Sequence, residues 1–146
     1  MKKLSPYLLL ALLMPALISS CKKDRNVEPL NVAEKWLFDK VVSEEYNAAG
    51  TVVNDTTFSD WTSNDYLALS SDGNFDLVQS GRRLTGIYAI ENSVLSFSYN
   101  QINNANQIVP VTTKASIVEK TTSKFTFYVE EVSATGKRRA TYYLLK

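Results

Sequence analysis

The chain has 146 residues, with 16 Lys and Arg against 15 Asp and Glu and no histidine. That near-neutral balance offers nucleic acid no basic surface, and the clusters Arg82-Arg83 and Lys137-Arg138-Arg139 are short and sit beside turns, as solvated hairpin ends. Without histidine there is no His-based triad, His-ligated zinc or His general base, so no catalytic residue, metal site or cofactor is expected.

Lys2 and Lys3 form a positive N-terminal region, followed by an uncharged apolar run from Tyr7 to Ile18. That run is about a dozen residues, short of the roughly 20 needed by a membrane-spanning helix. Pro15 further opposes one long helix. Residues 1–20 therefore read as a secretory signal, to be set aside from the fold.

Ile18-Ser19-Ser20-Cys21 closely resembles the lipobox of bacterial lipoproteins, an aliphatic and two small residues before an acylated cysteine. The resemblance implies cleavage before Cys21, diacylglycerol on its thiol and an acyl group such as palmitate on its new amino group. Two or three acyl chains anchor durably, at about 0.8 kcal/mol per buried CH₂. Cys21 is the only cysteine, and acylation removes the liability of a lone exported thiol. Lipoproteins with a residue other than Asp after that cysteine, here Lys22, are sorted to the outer membrane. With Asp24 as the lone acid close behind Cys21, its periplasmic and surface faces both stay open. Residues 21–31 form a polar tether, and 32–146 the domain.

From residue 34 onward, short alternating runs of Val, Ile, Thr, Tyr and Phe are separated by turn residues. A brief helical turn at Asn31 to Lys35 leads into a strand from Trp36 towards Tyr46. Thr51 to Phe58 is either a further strand or a long loop. Tyr66–Leu69 and Asn74–Val78 flank Asp72-Gly73, a hairpin signal. Leu84–Ile90 follows Gly81, and Glu91-Asn92-Ser93 turns the chain into Val94–Tyr99. An Asn/Gln-rich loop from Gln101 to Gln107 precedes Ile108–Glu119. Phe125–Val132 and Arg139–Leu145 complete an all-β, antiparallel, up-and-down meander of eight strands, or nine with Thr51 to Phe58. Such a meander removes its exposed edges by closing into a barrel.

Lys35-Trp36, Tyr66-x-x-Leu69-x-x-Asp72-Gly73-x-Phe75, Gly81, Gly86-x-Tyr88-x-Ile90 and Leu95-x-Phe97 together resemble the lipocalin-like domains of Bacteroidetes lipoproteins, over residues 32–146. The resemblance implies a lipocalin-like barrel and an arginine of the last strand, Arg138 or Arg139, packed over Trp36. Glu34 stands where lipocalins carry glycine.

Alternation places Trp36, Phe75, Leu77, Tyr88, Phe97, Phe125, Phe127 and Tyr142 inside the barrel, as its packing or as the lining of a ligand pocket. Eight strands leave room for either outcome. Glu44-Glu45 and Glu130-Glu131 are neighbours on strands and point to opposite faces, so neither is a carboxylate dyad. The expectation is a non-enzymatic protein, anchored through Cys21, that holds a small hydrophobic ligand. The alternative is a packed barrel that meets an envelope protein partner through its outer surface, with Trp61 and Tyr128 among its exposed aromatics.

Overall fold

A computed structural model describes residues 31–146; the expected signal segment, Cys21 and most of the expected tether lie outside the described residues. The domain is all-β, built from β1 (Lys35–Asn47), β2 (Val52–Phe58), β3 (Tyr66–Leu69), β4 (Asn74–Gln79), β5 (Arg82–Glu91), β6 (Val94–Ile102), β7 (Ile108–Lys120), β8 (Lys124–Ser133) and β9 (Gly136–Leu145). Every pairing is antiparallel, and β1 pairs with β9 to close β1 and β3–β9 into an eight-stranded barrel. The ninth strand, β2, is the segment Thr51 to Phe58 left open by sequence; it pairs with β1 alone. No helical turn forms at Asn31 to Lys35. Asn31 Oδ1 instead accepts the Ala33 amide at 3.0 Å, and the Val32 carbonyl accepts the Trp36 indole N–H at 3.1 Å.

The turns follow their residues. Ser80 and Gly81 have φ of 50° and 77°, and Asn92 and Ser93 have 49° and 64°. Two successive positive values make the mirror-image turn whose twist suits a tight hairpin. In the loop after β6, Asn103 Oδ1 accepts the amides of Ala105 and Gln107 at 3.0 and 2.9 Å.

The two ends of the barrel differ. At the end where β1 begins and β9 finishes, Val32, Trp36, Leu67, Leu95, Phe125 and Leu144 are almost wholly buried, with Trp36 and Phe125 rings 5.4 Å apart. This is the closed end. At the other end the sheet divides. β7 meets β8 only where Ser116–Lys120 runs beside Phe125–Tyr128. Ile108–Ala115 pairs with β6 alone, and Val129–Ser133 with β9 alone. β3 is four residues long and meets only Lys35–Leu37 of β1. The upper half is thus two facing sheets, β2-β1-β9-β8 and β4-β5-β6-β7, joined below.

Among the described residues no arginine covers Trp36. Arg138 and Arg139 lie on β9 opposite Glu45 and Glu44, towards the open end, whereas Trp36 sits at the closed end. The cation over the indole is Lys120, its Nζ 5.6 Å from the ring centre. Beside it, Lys146 Nζ is 2.8 Å from Glu34 Oε2.

Candidate functional site

Above the closed-end core the two sheets leave a cavity of 170 Å³. β1 and β3 contribute Phe38 and Leu67; β4 contributes Phe75, Leu77 and Gln79; β5 and β6 contribute Leu84, Phe97 and Tyr99. Thr113 of β7, Phe127 and Val129 of β8 and Tyr142 of β9 complete the wall. These positions share the inward alternation of their strands, which is why one apolar face from each strand meets at one space.

Aromatic rings form the lower wall. Phe75 meets Phe97 edge-on at 5.0 Å, Phe97 lies 6.2 Å from Phe127, and Phe127 stacks on Tyr142 at 5.0 Å and 19°. The polar groups are few. Tyr99 and Thr113 hydroxyls lie 3.3 Å apart. Burial pushes the Tyr142 hydroxyl above its ordinary pKa, with Glu131 adding to the effect, so that group is a neutral donor at neutral pH. An engineered apolar cavity of about 150 Å³ takes benzene, so this one suits a ring-sized body rather than a long acyl chain.

The eight residues placed inside by sequence divide between two levels. Phe75, Leu77, Phe97, Phe127 and Tyr142 line the cavity. Trp36 and Phe125 lie beneath it in the closed-end core, each fully buried. Tyr88 packs at that same end, its hydroxyl donating to the Ser70 carbonyl at 2.8 Å. Phe38, Leu67, Leu84, Tyr99 and Val129 complete the apolar lining, and the alternation Leu84-x-Gly86-x-Tyr88 and Phe125-x-Phe127-x-Val129 already marks two of them. Gln79 and Thr113 carry no such signal, being polar residues that continue an inward row.

The loop from Ser59 to Asp65 runs between the two sheets. Trp61 is half-buried rather than exposed, 4.5 Å edge-on to Phe58 and 5.1 Å from Phe38. Its indole N–H is buried without a hydrogen-bond partner among the described residues, which costs about 1–3 kcal/mol. Asp65 fixes the loop. Its carboxylate accepts the Thr62 amide at 2.9 Å, the Thr62 hydroxyl at 2.8 Å and the Ser80 amide at 2.6 Å. Those bonds, led by the Thr62 amide, hold its pKa below the ordinary carboxylate value. Thr62-x-x-Asp65 is the sequence signal that marks this residue.

The open end carries the charges. Glu45 pairs with Arg138 across β1 and β9, and the Arg138 hydrogen bond depresses the Glu45 pKa. On the outer face Glu130 holds Lys137 at 2.9 Å and Arg139 at 2.7 Å, while Glu44 accepts from Tyr46 at 2.9 Å. Each adjacent glutamate pair is thus split between different partners. Tyr128 is half-buried, its ring covered by the Arg139 guanidinium at 4.6 Å. Among the described residues, no group of three or more acids and cysteines is placed to hold a metal ion. No protein-family model, curated protein or solved structure matches this chain.

Proposed function

We propose that this chain is a non-catalytic envelope lipoprotein, anchored through Cys21, whose barrel carries a small apolar or amphiphilic molecule. The observation that carries the reading is the 170 Å³ cavity, ringed by aromatics and bordered by two sheets that separate above it. Ligand sites are concave, largely preformed and mostly apolar, with a few polar groups to orient the guest. Phe75, Phe97, Phe127 and Tyr142 supply the first property, and Tyr99, Thr113 and Gln79 the second. The lipobox resemblance supports the anchor. Nine residues separate Cys21 from Asn31 at the closed end, a reach of about 30 Å. An anchor there turns the open end away from the lipid, and the guest enters from water.

Native mass spectrometry of residues 22–146, purified gently, tests the carrier reading. A discrete added mass lost on solvent extraction supports it. A bare mass together with failure to take up benzene or indole overturns it. The anchor is tested separately: Cys21→Ser should lose the acyl mass and leave the membrane fraction.

The alternative, an interaction module that acts through its surface, draws on different residues. β2 is exposed along its whole length with one edge unpaired among the described residues, and Ile102 and Ile108, paired at the tip of β6 and β7, are 63% and 72% exposed. A packed interior in the mass measurement would favour this reading.

A further inference from the structure

Resting on the carrier reading, we propose that the open end selects an anion: a compact molecule whose ring lies in the cavity and whose carboxylate meets Arg82.

Three neighbouring strands change character at one level. In β4 the cavity-lining Leu77 is followed two places on by Gln79; in β6 Tyr99 is followed by Gln101; in β5 Leu84 is preceded by Arg82. Steps of two keep a strand's face, so each apolar lining residue has a hydrogen-bonding residue directly above it. The register fixes the relation further, since Leu77 faces Leu84 and Gln79 faces Arg82 across the strands. Arg82, Arg83 and Gln101 border one continuous recess that shares Leu77, Gln79, Leu84 and Tyr99 with the cavity below, and the Arg83 guanidinium there is already held by Asp76. An apolar wall thus grades into a cation flanked by two amides.

Arg82 is also the arginine left over. Among the described residues, Arg83 is bound to Asp76 at 2.8 Å, Arg138 to Glu45, and Arg139 to Glu130 at 2.7 Å. Among the described residues no carboxylate pairs with Arg82. On the facing sheet Glu45 and Arg138 neutralise one another, and Glu131 is the acid that acts on Arg138 and Tyr142. The guanidinium fork suits a carboxylate bidentately, and Gln79 and Gln101 can each donate an amide N–H to the same oxygens. The cavity volume sets the other half of the ligand class, one ring with a short arm.

The test is binding of hydrocinnamate and its neutral amide to residues 22–146 by titration calorimetry at low salt. The two probes share ring and arm and differ in charge. The carboxylate should bind about tenfold more tightly than the amide to the wild-type protein, a modest ratio because Arg82 faces water. Arg82→Gln should erase that ratio while leaving amide binding in place. Arg139→Gln, which removes a cation held by Glu130 on the outer face, away from the recess, should preserve it. Equal affinity of the two probes for the wild-type protein would overturn the anion selection and leave the carrier reading standing. A preference that survives Arg82→Gln would overturn the assignment to Arg82. Failure of the folded protein to bind either probe would remove the carrier reading and this one together.

Discussion

The closed and open ends are built from the same eight strands, yet one is a packed core and the other a parted pair of sheets. At the closed end Trp36, Leu67, Leu95, Phe125 and Leu144 come from five strands and exclude water almost completely. At the open end the same inward rows continue as Ser43, Glu45, Gln79, Gln101, Glu131 and Arg138, and the β7–β8 ladder stops. The difference lies in the residues at the upper turns of each inward row. Apolar rows zip a barrel shut, because leaving them in water costs about 25 cal/mol per Å². Rows that end in amides and charges gain nothing from closure, and the β7–β8 ladder stops at Ser116 and Tyr128, one level below Glu131, where Thr113 and Val129 line the cavity instead of sealing it.

The largest expected effect comes from cutting into the closed end. Trp36→Ala or Phe125→Ala should destabilise the protein by about 3–5 kcal/mol in urea unfolding, through lost burial and the void left behind. Leu84→Ala, which widens a cavity that already exists beside a half-buried side chain, should cost about 1 kcal/mol. Equal losses would mean that the upper half is packed as tightly as the lower, and the contrast drawn above would fail.

Gly86 marks the boundary between the two regions. A Cβ there would collide with the Ser98 carbonyl oxygen and lie 2.8 Å from Phe75 Cε1. Phe75 is at once a core residue and part of the cavity wall. Gly86→Ala should cost about 2 kcal/mol and push Phe75 into the cavity, as overpacking does elsewhere. The same measurement on Gly81→Ala separates steric crowding from backbone strain, because no atom lies within 4 Å of a Cβ at Gly81 but its φ is 77°.

Filling the cavity should reverse the usual order of effects. Leu84→Phe adds bulk to the 170 Å³ space and should change stability by no more than about 1 kcal/mol while abolishing uptake of benzene or indole. Unchanged uptake would place the guest elsewhere.

Much of this was legible in the sequence, and for identifiable reasons. Asp72-Gly73, Gly81 and Asn92-Ser93 announced their turns because each turn needs a backbone conformation that few residues tolerate. The inward rows of β5, β6 and β8 were legible because a half-buried strand alternates. β2 was not, since both of its faces are exposed and Val52-Val53 and Thr56-Thr57 break any alternation. The open seam was also hidden. Nothing in Ile108–Ala115 or Val129–Ser133 states which neighbour a strand will lack. Within the cavity the aromatic wall was legible and its polar members were not, because Gln79 and Thr113 belong to the site only through the rows they extend. The loop latch was missed for another reason, as a carboxylate three places after Thr62 reads like any polar loop until Ser80 is brought to it.

That latch gives the smallest effect and the most local one. Asp65 ties the loop after β2 to the β4–β5 turn, and so one sheet of the open end to the other. Its folded pKa is depressed by the Thr62 amide, the Thr62 hydroxyl and the Ser80 amide. A group of this kind contributes stability above the unfolded carboxylate value, about 3.9, and loses it as pH falls through the lower folded value. Acid should therefore release the Ser80 amide and loosen Trp61 while the closed end around Trp36 stays intact. In an NMR titration the Ser80 amide proton, held downfield by its bond to the carboxylate, should move upfield at acid pH before any shift near Trp36. Asp65→Asn has no charge to lose and should show no such titration. A Ser80 resonance that holds its position until the whole domain unfolds would show that the two ends respond as one unit, and that the latch does not act on the open end alone.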